Sequence, residues 1–281
     1  MKKVSKWVLV LGLLGIGSAM ADREDRWERR REANELYPEL ALRLENPLAR
    51  VLALPMEFGF QKGGGGGPDQ YALRVSPRIP IVINEHWHLI SRTEFSLVYS
   101  DGKDGESNGV GLTDVTQGFF FSPDRPVVEE VYWGIGPSMI LPTATRTSLA
   151  SNRFSLGPSV GVFRQRDPWT AGLIATHLWS LPGGESSRDV NGTRLEPVLA
   201  YTASTGTTIA LSAEINYDWT RGDWSIPAEL TLNQLTLVGG RPLKFGLGLR
   251  YWIDREGRDP DWSCLLRFTL PLDSPRWSLR R

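Results

Sequence analysis

The chain has 281 residues, 32 Lys and Arg against 32 Asp and Glu, and a single cysteine. Balanced charge offers no basic field for nucleic acid, and a lone Cys264 excludes an intrachain disulfide and any multi-cysteine metal site. Stability must come from strand pairing and packing.

Met1 to Ala21 reads as a secretory signal peptide. Lys2, Lys3 and Lys6 precede an apolar stretch from Trp7 to Ile16, and Ala19-Met20-Ala21 offers a small-residue cleavage site before Asp22. Cleavage after Ala21 is expected, leaving a slightly acidic mature chain. No run of about 18 apolar residues follows, so no helix is expected to cross a bilayer. Residues 22–53 form a charged N-terminal segment dense in Arg and Glu, with Trp27, Leu36, Tyr37, Leu40, Leu42 and Leu44 scattered through it. Helix broken at Pro38 and Pro47 is expected there. Two readings stay open: a solvated periplasmic arm, or a short helix over Asn46–Leu54 that tucks into a barrel mouth as a plug.

From Leu54 onward a period of two takes over. It is clearest in Thr207–Trp219. Ile209, Leu211, Ala213, Ile215, Tyr217 and Trp219 form one apolar row, and Thr208, Ala210, Ser212, Glu214, Asn216 and Asp218 a small or polar one. Successive strand side chains point to opposite faces, so one face is oily and the other wet. The length suits a tilted membrane strand of about 9–11 residues. The pattern predicts about twelve strands, an even number as in bacterial single-chain barrels. Their spans are 54–62, 70–83, 86–100, 110–122, 127–142, 153–165, 169–181, 191–203, 207–219, 224–237, 243–254 and 262–272. The fold class is therefore all-β: a transmembrane antiparallel up-and-down β-barrel over 54–272, followed by a C-terminal tail, 273–281.

Connections alternate in length. Lys62–Asp69, Asp101–Gly109, Thr143–Asn152, Pro182–Asp189 and Arg255–Asp261 are long, with Thr220–Asp223 a short exception. Asn84-Glu85, Pro123–Pro126, Asp167-Pro168, Ser204–Gly206 and Val238–Pro242 are tight. That alternation matches extracellular loops and periplasmic turns. Trp87 and Trp169 beside short turns, and Trp219, Trp224 and Trp262 beside loops, predict two interfacial aromatic girdles.

A charge facing lipid at the midplane costs about 2–4 kcal/mol, so the charged rows must face the lumen. The interior is expected to carry Arg74, Arg78, Arg92, Arg194, Lys244, Arg250 and Arg267, balanced by Glu94, Asp114, Glu196, Glu214, Asp218, Glu229 and Asp254. Such an interior makes either a wet pore with transverse fields or a salt-bridge lattice that closes the lumen. Twelve strands lie between filled barrels of about 8 and channels of about 16.

No catalytic residue, metal or cofactor is expected. His86-Trp87-His88 could set two imidazoles on one side, but no further ligand completes a site. Outer-membrane lipid hydrolases place a Ser and a His together on the barrel exterior. His177 and Ser180 lie three apart on one strand, hence on opposite faces, so only a cross-strand partner leaves that reading open. Gly63–Gly67 lacks the Lys-Ser/Thr of a phosphate-binding loop and reads as a flexible external loop.

Several segments carry a resemblance. They are Asn46-Pro47-Leu48-Ala49 before Leu54-Pro55, Gly111-Leu112-Thr113-Asp114, Gln117-Gly118-Phe119-Phe120-Phe121-Ser122-Pro123, Trp133-Gly134-Ile135-Gly136-Pro137, Leu141-Pro142-Thr143-Ala144-Thr145, Leu156-Gly157-Pro158, Tyr217-Asp218-Trp219 and Gly246-Leu247-Gly248-Leu249-Arg250-Tyr251. In this order they resemble the "MetA-pathway of phenol degradation" family of outer-membrane transporters, some members of which carry the label neuromedin U. The similarity runs from Asn46 to Leu272. The family's usual Gly-Leu-Gly-Asp is Gly111-Leu112-Thr113-Asp114 here, so a local turn or bulge is expected to differ.

The resemblance implies passive passage of small molecules, aromatic or hydrophobic compounds among them, across the outer membrane of a Gram-negative-type envelope. Expected partners are outer-membrane lipids and lipopolysaccharide, the barrel-assembly machinery and a small-molecule solute. The alternatives are a closed structural or adhesion-type barrel and an outer-membrane lipid hydrolase.

Overall fold

The computed structural model describes residues 37–62, 69–101, 108–126, 130–151, 153–181, 190–254 and 260–272. The expected signal peptide, residues 22–36, the Gly63–Gly67 loop and the tail lie outside them.

The strands are β1 (Ala53–Gln61), β2 (Gln70–Val75), β3 (Arg78–Val82), β4 (Trp87–Ser100), β5 (Gly109–Leu112), β6 (Val115–Pro123), β7 (Val131–Leu141), β8 (Ser155–Arg166), β9 (Trp169–Ser180), β10 (Asn191–Thr202), β11 (Thr207–Ala213), β12 (Ile215–Asp218), β13 (Asp223–Val238), β14 (Arg241–Asp254) and β15 (Trp262–Pro271). These 15 segments make 12 staves of one closed antiparallel barrel. Each stave pairs with the next, and β15 returns to β1 from Ala53↔Pro271 to Gln61↔Ser263. Closure leaves no sheet edge to aggregate.

Three staves are interrupted, for different reasons. β2 and β3 share one register on β4, Val75↔Phe95 and Arg78↔Arg92, so Ser76-Pro77 breaks the ladder only because proline has no N–H. β11 and β12 also keep one register on β10, and the Glu214 N–H still bonds the Pro227 carbonyl at 3.1 Å. Between β5 and β6 the register slips by one: Leu97 faces Leu112, but Glu94 faces Thr116. Thr113-Asp114 is thus a β-bulge. Threonines from the loop after β7 take up its freed groups: Leu112 N–H donates to Thr145 Oγ1 and Val115 N–H to Thr143 Oγ1, both at 2.9 Å.

Burial runs inside out. Leu247 is 62% exposed and Leu230 56%, whereas Glu229 is 5% exposed and Thr208 fully buried. An exposed belt of Leu, Ile and Val around the barrel, with polar rows within, is a surface made for hydrocarbon. No helix among the described residues is long and apolar enough to cross a membrane.

Aromatic pairs sit at both rims. Trp87 meets Trp133 at 5.9 Å and Trp169 meets Tyr201 at 5.2 Å at the short-turn end. Tyr217 packs on Trp219 at 4.8 Å and on Trp224 at 4.5 Å at the other. At the short-turn rim, Asn84 Oδ1 accepts from the N–H groups of His86 and Trp87, both at 2.9 Å, closing the β3–β4 turn as an Asx turn.

Two prolines stand side by side in register, Pro137 on β7 and Pro158 on β8. The glycines before them let the flanking backbones close in. A Cβ on Gly157 would lie 1.8 Å from the His177 carbonyl oxygen, and one on Gly136 2.0 Å from that of Phe119. Gly157→Ala is expected to lower stability by about 1–3 kcal/mol by forcing β8 from β9. Denaturant unfolding of the purified protein in detergent measures this.

Residues 37–45 form a helix, α1. Pro38 is itself helical, with Tyr37 before it, so the break expected at Pro38 does not interrupt the described residues. Pro47 does end it, by driving Asn46 out of the helical region. The helix expected at Asn46–Leu54 is absent: Asn46–Arg50 is a turn, with Leu48 N–H bonded to Asn46 Oδ1 at 2.9 Å.

The α1-and-turn segment lies inside the barrel at its short-turn end. Ala41, Leu44 and Val51 pack with Ala53 and Leu235, while Leu48 enters a second cluster with Ile90, Phe120, Phe163 and Ile174. Polar tethers hold it. Gln165 Nε2 donates to the Leu42 carbonyl at 2.6 Å, Asn46 Nδ2 donates to Gln165 Oε1 at 3.2 Å, Lys244 pairs with Glu45, and Arg50 with Asp124.

Candidate functional site

The site is the lumen, and its walls follow from strand parity. Residues two apart share a face, so each stave turns one row inward: mostly charged residues, hydroxyls and glycines, with apolar Phe120, Ile140 and Leu178 among them. Six of the sequence-predicted lumen residues meet at one level. Arg92 Nη2 donates to Glu196 at 2.7 Å and lies 3.4 Å from Glu94; Arg74 Nη1 donates to Glu214 at 2.9 Å. Arg194 completes the group, 3.6 Å from Glu94 and 3.4 Å from Glu214.

These contacts cross the barrel. Between β4 and β10 stand four staves on one side and six on the other, and the same separation holds between the β2 and β11–β12 staves. Three pairs, Arg92–Glu196, Arg194–Glu94 and Arg74–Glu214, therefore form an ionic crossbar between nearly opposite walls. With three arginines against three glutamates, it is electrically neutral.

A second neutral group lies on one wall. Arg250 donates to Glu229 at 2.7 Å and to Glu57 at 2.8 Å, while Arg267 donates to Glu57 at 2.6 Å and also pairs with Glu229. Register explains it: Glu57 is the Cα partner of both Arg267 and Arg74, and Glu229 of Arg250. Glu57 was absent from the expected interior, yet it shares the inward row of Pro55, Gly59 and Gln61, opposite Met56, Phe58 and Phe60. The signal was readable.

The other expected lumen residues have different tasks. Arg78 donates to the Leu44 carbonyl at 3.3 and 3.4 Å and Lys244 pairs with Glu45, so both cations hold the C-terminal end of α1, where the helix dipole favours them. Asp114, re-aimed by the bulge, accepts from Ala144 N–H at 2.9 Å and from Ser151 N–H and Oγ, both at 2.6 Å, fixing the loop after β7. Asp218 caps the short turn before β13 and pairs with Arg221 at 3.1 Å. Asp254 ends β14 and is exposed.

The crossbar divides the interior. An outer cavity of about 260 Å³ lies between it and the long-loop end, lined in part by Ile140, Leu178, Asn216 and Asp218. An inner cavity of about 250 Å³ lies between it and α1, reached by Leu44, Glu45 and Pro47. Arg92, Glu94 and Glu196 line both. A hydroxyl ladder crosses the wall beside the outer cavity: Ser159 Oγ bonds Ser138 Oγ at 2.6 Å and Thr176 Oγ1 at 2.7 Å.

The histidines do not form a common site. His86 lies exposed in the turn, off the strand, whereas His88 is buried with Nδ1 3.8 Å from Asp124 Oδ1. Among the described residues no group of three His, Cys, Asp or Glu could hold a metal. On the exterior, His177 Nδ1 contacts Thr193 Oγ1 at 2.7 Å, and that hydroxyl also accepts from Trp219 Nε1 at 2.8 Å. Ser180 instead bonds Val190 N–H at 3.2 Å. The cross-strand hydroxyl beside His177 is thus a threonine that already accepts a hydrogen bond from an aromatic-girdle side chain.

No family model and no curated protein matches the chain. Solved structures do. The COG4313 outer membrane channel from Pseudomonas putida F1 is similar at 13% identity and a TM-score of 0.59, over 78% of this chain and 94% of that one. NanC porin is similar at 14% identity and a TM-score of 0.51, over 79% and 100%. The outer membrane phospholipase A from Escherichia coli superposes more loosely, with a TM-score of 0.48 at 9% identity over 77% and 95%. At these identities the likeness shows the fold: a 12-stranded, porin-like outer-membrane β-barrel.

Proposed function

We propose that the protein is a passive outer-membrane channel for small molecules, exported by a signal peptide cleaved after Ala21. The observation that carries this reading is the polar interior: two cavities of about 260 and 250 Å³ stacked along the barrel and meeting at Arg92, Glu94 and Glu196. A barrel that served only as a scaffold would gain more from filling that space than from lining it with ionisable groups. Ile140, Leu178 and Phe120 at the outer cavity suit the apolar or aromatic body of a solute. In this reading the inward charged rows line the path, and α1 with its turn stands as a plug at the periplasmic end. The protein is non-enzymatic.

Membership of the MetA-pathway family rests on motif order, and spatial logic supports it. Gly111–Asp114 and Leu141–Thr145 meet at the bulge, and Pro137 faces Pro158.

A second reading, a closed structural barrel, is favoured by the crossbar itself. The refolded chain in planar bilayers and liposomes decides. The channel reading expects discrete conductance steps and accelerated solute entry, both changed by neutralising Arg74, Arg92, Glu94 and Glu214. Sealed bilayers and no solute entry, with only thermal stability lost in those variants, would establish the closed barrel.

A further inference from the structure

The outer cavity ends on four charges of alternating sign. Arg92 and Glu94 lie two apart on β4, Arg194 and Glu196 two apart on β10, and all four line the cavity. They face one another crosswise, Arg92 to Glu196 at 2.7 Å and Arg194 to Glu94 at 3.6 Å. Around this floor the cavity presents apolar Ile140, Leu178 and Phe120 together with the hydroxyls of Ser138 and Thr176. Its volume, about 260 Å³, lies just below the roughly 300–1,000 Å³ typical of pockets for drug-sized ligands. A cavity of this size accommodates only a small molecule.

We infer that this cavity is a binding site for a small zwitterion, one carrying a cation and an anion close together on a compact apolar or aromatic body. The inference rests on the channel reading and names the solute class for it. A group brought to the crossbar must compete with pairs that already satisfy each other. An anion alone can take an arginine from its glutamate, but it leaves the glutamate without a counter-charge in a partly desolvated lumen, and a cation does the reverse. A zwitterion replaces both partners at once. Its anion faces Arg194 or Arg92, its cation faces Glu94 or Glu196, and every charge keeps an opposite neighbour. The neutrality of the crossbar thus selects for neutrality with internal charge separation, and the apolar residues around it select for the body that carries the charges.

Three ligands of one skeleton test this: phenylalanine, zwitterionic at pH 7; 3-phenylpropionate, which lacks the amine; and 2-phenylethylamine, which lacks the carboxylate. Binding is read by equilibrium dialysis against the folded full chain in detergent, and flux by uptake into liposomes containing it. Phenylalanine is expected to bind at least about tenfold more tightly than either relative. Glu94→Gln should move the preference toward 3-phenylpropionate, and Arg194→Gln toward 2-phenylethylamine. The comparison on the unaltered chain stands even if a variant does not fold. Equal binding of the three ligands, preference for a charged one, or no phenylalanine binding overturns the inference. Flux of all three without discrimination sinks the zwitterion site and leaves the channel. Discriminating binding with sealed liposomes leaves the site and sinks the channel.

Discussion

Leu247→Arg is expected to destabilise the membrane-inserted barrel by about 2–4 kcal/mol, the cost of a cation on the lipid face at mid-bilayer. Leu247 stands at the middle of β14, 62% exposed, flanked in register by Leu232 and Leu266, themselves 54% and 42% exposed. In a soluble protein an arginine replacing so exposed a leucine would cost almost nothing. Here it meets hydrocarbon, with no counter-charge in reach. Val238→Arg is the control. Val238 is 58% exposed but ends its strand, where the same charge reaches the interface and costs about 0–1 kcal/mol. Reversible denaturant unfolding from lipid vesicles measures both. Equal effects at the two positions would contradict a bilayer around the belt.

Removal of Arg250 is the second large effect. Its guanidinium lies between Glu57 and Glu229, whose side chains are 12% and 5% exposed. Arg250→Met leaves two carboxylates sharing one cation, Arg267. Breaking a buried pair by deleting one partner costs about 3–5 kcal/mol, because the remaining charge is stranded. Arg267 still reaches both glutamates, which places the expected loss at the lower end of that range. The double variant Arg250→Met, Glu229→Gln should recover most of the loss, since it removes the stranded charge with its partner. The coupling is read from a double-mutant cycle on unfolding free energies. Additive losses would mean that the pair makes no net contribution.

The barrel was legible because its determinant is local. A charge every second residue cannot face lipid, so alternation within a single strand such as Thr207–Trp219 assigns both faces, and short turns such as Asp167-Pro168 order the staves. Interruptions were harder to read. Pro77 and the Thr113-Asp114 bulge each lie within otherwise regular rows, and only the pairing with β4 shows that the first keeps register and the second shifts it.

The members of the crossbar were legible as inward charges, but which of them pair was not. Arg92 and Glu196 are 104 residues apart, and Arg74 and Glu214 are 140; their meeting depends on the circumference and tilt of the closed barrel. The inner end was displaced in the reading for a related reason. A helix before Pro47 and one after it look alike in sequence, and what holds α1 comes from distant staves, through Arg78, Gln165 and Lys244.

The account depends on the orientation of its rows, and spin-label accessibility in bilayers tests that most directly. In a Cys264→Ser background, single cysteines replace outward Ile209, Leu211, Leu230 and Leu247, or cavity-lining Ser76, Ser212, Asn216 and Thr269. Labels at the first four positions should collide readily with dissolved oxygen and lipid-borne quenchers, and those at the second four should not. If the two sets exchange behaviour, or respond alike, the polar rows do not enclose an interior and the channel reading fails with them.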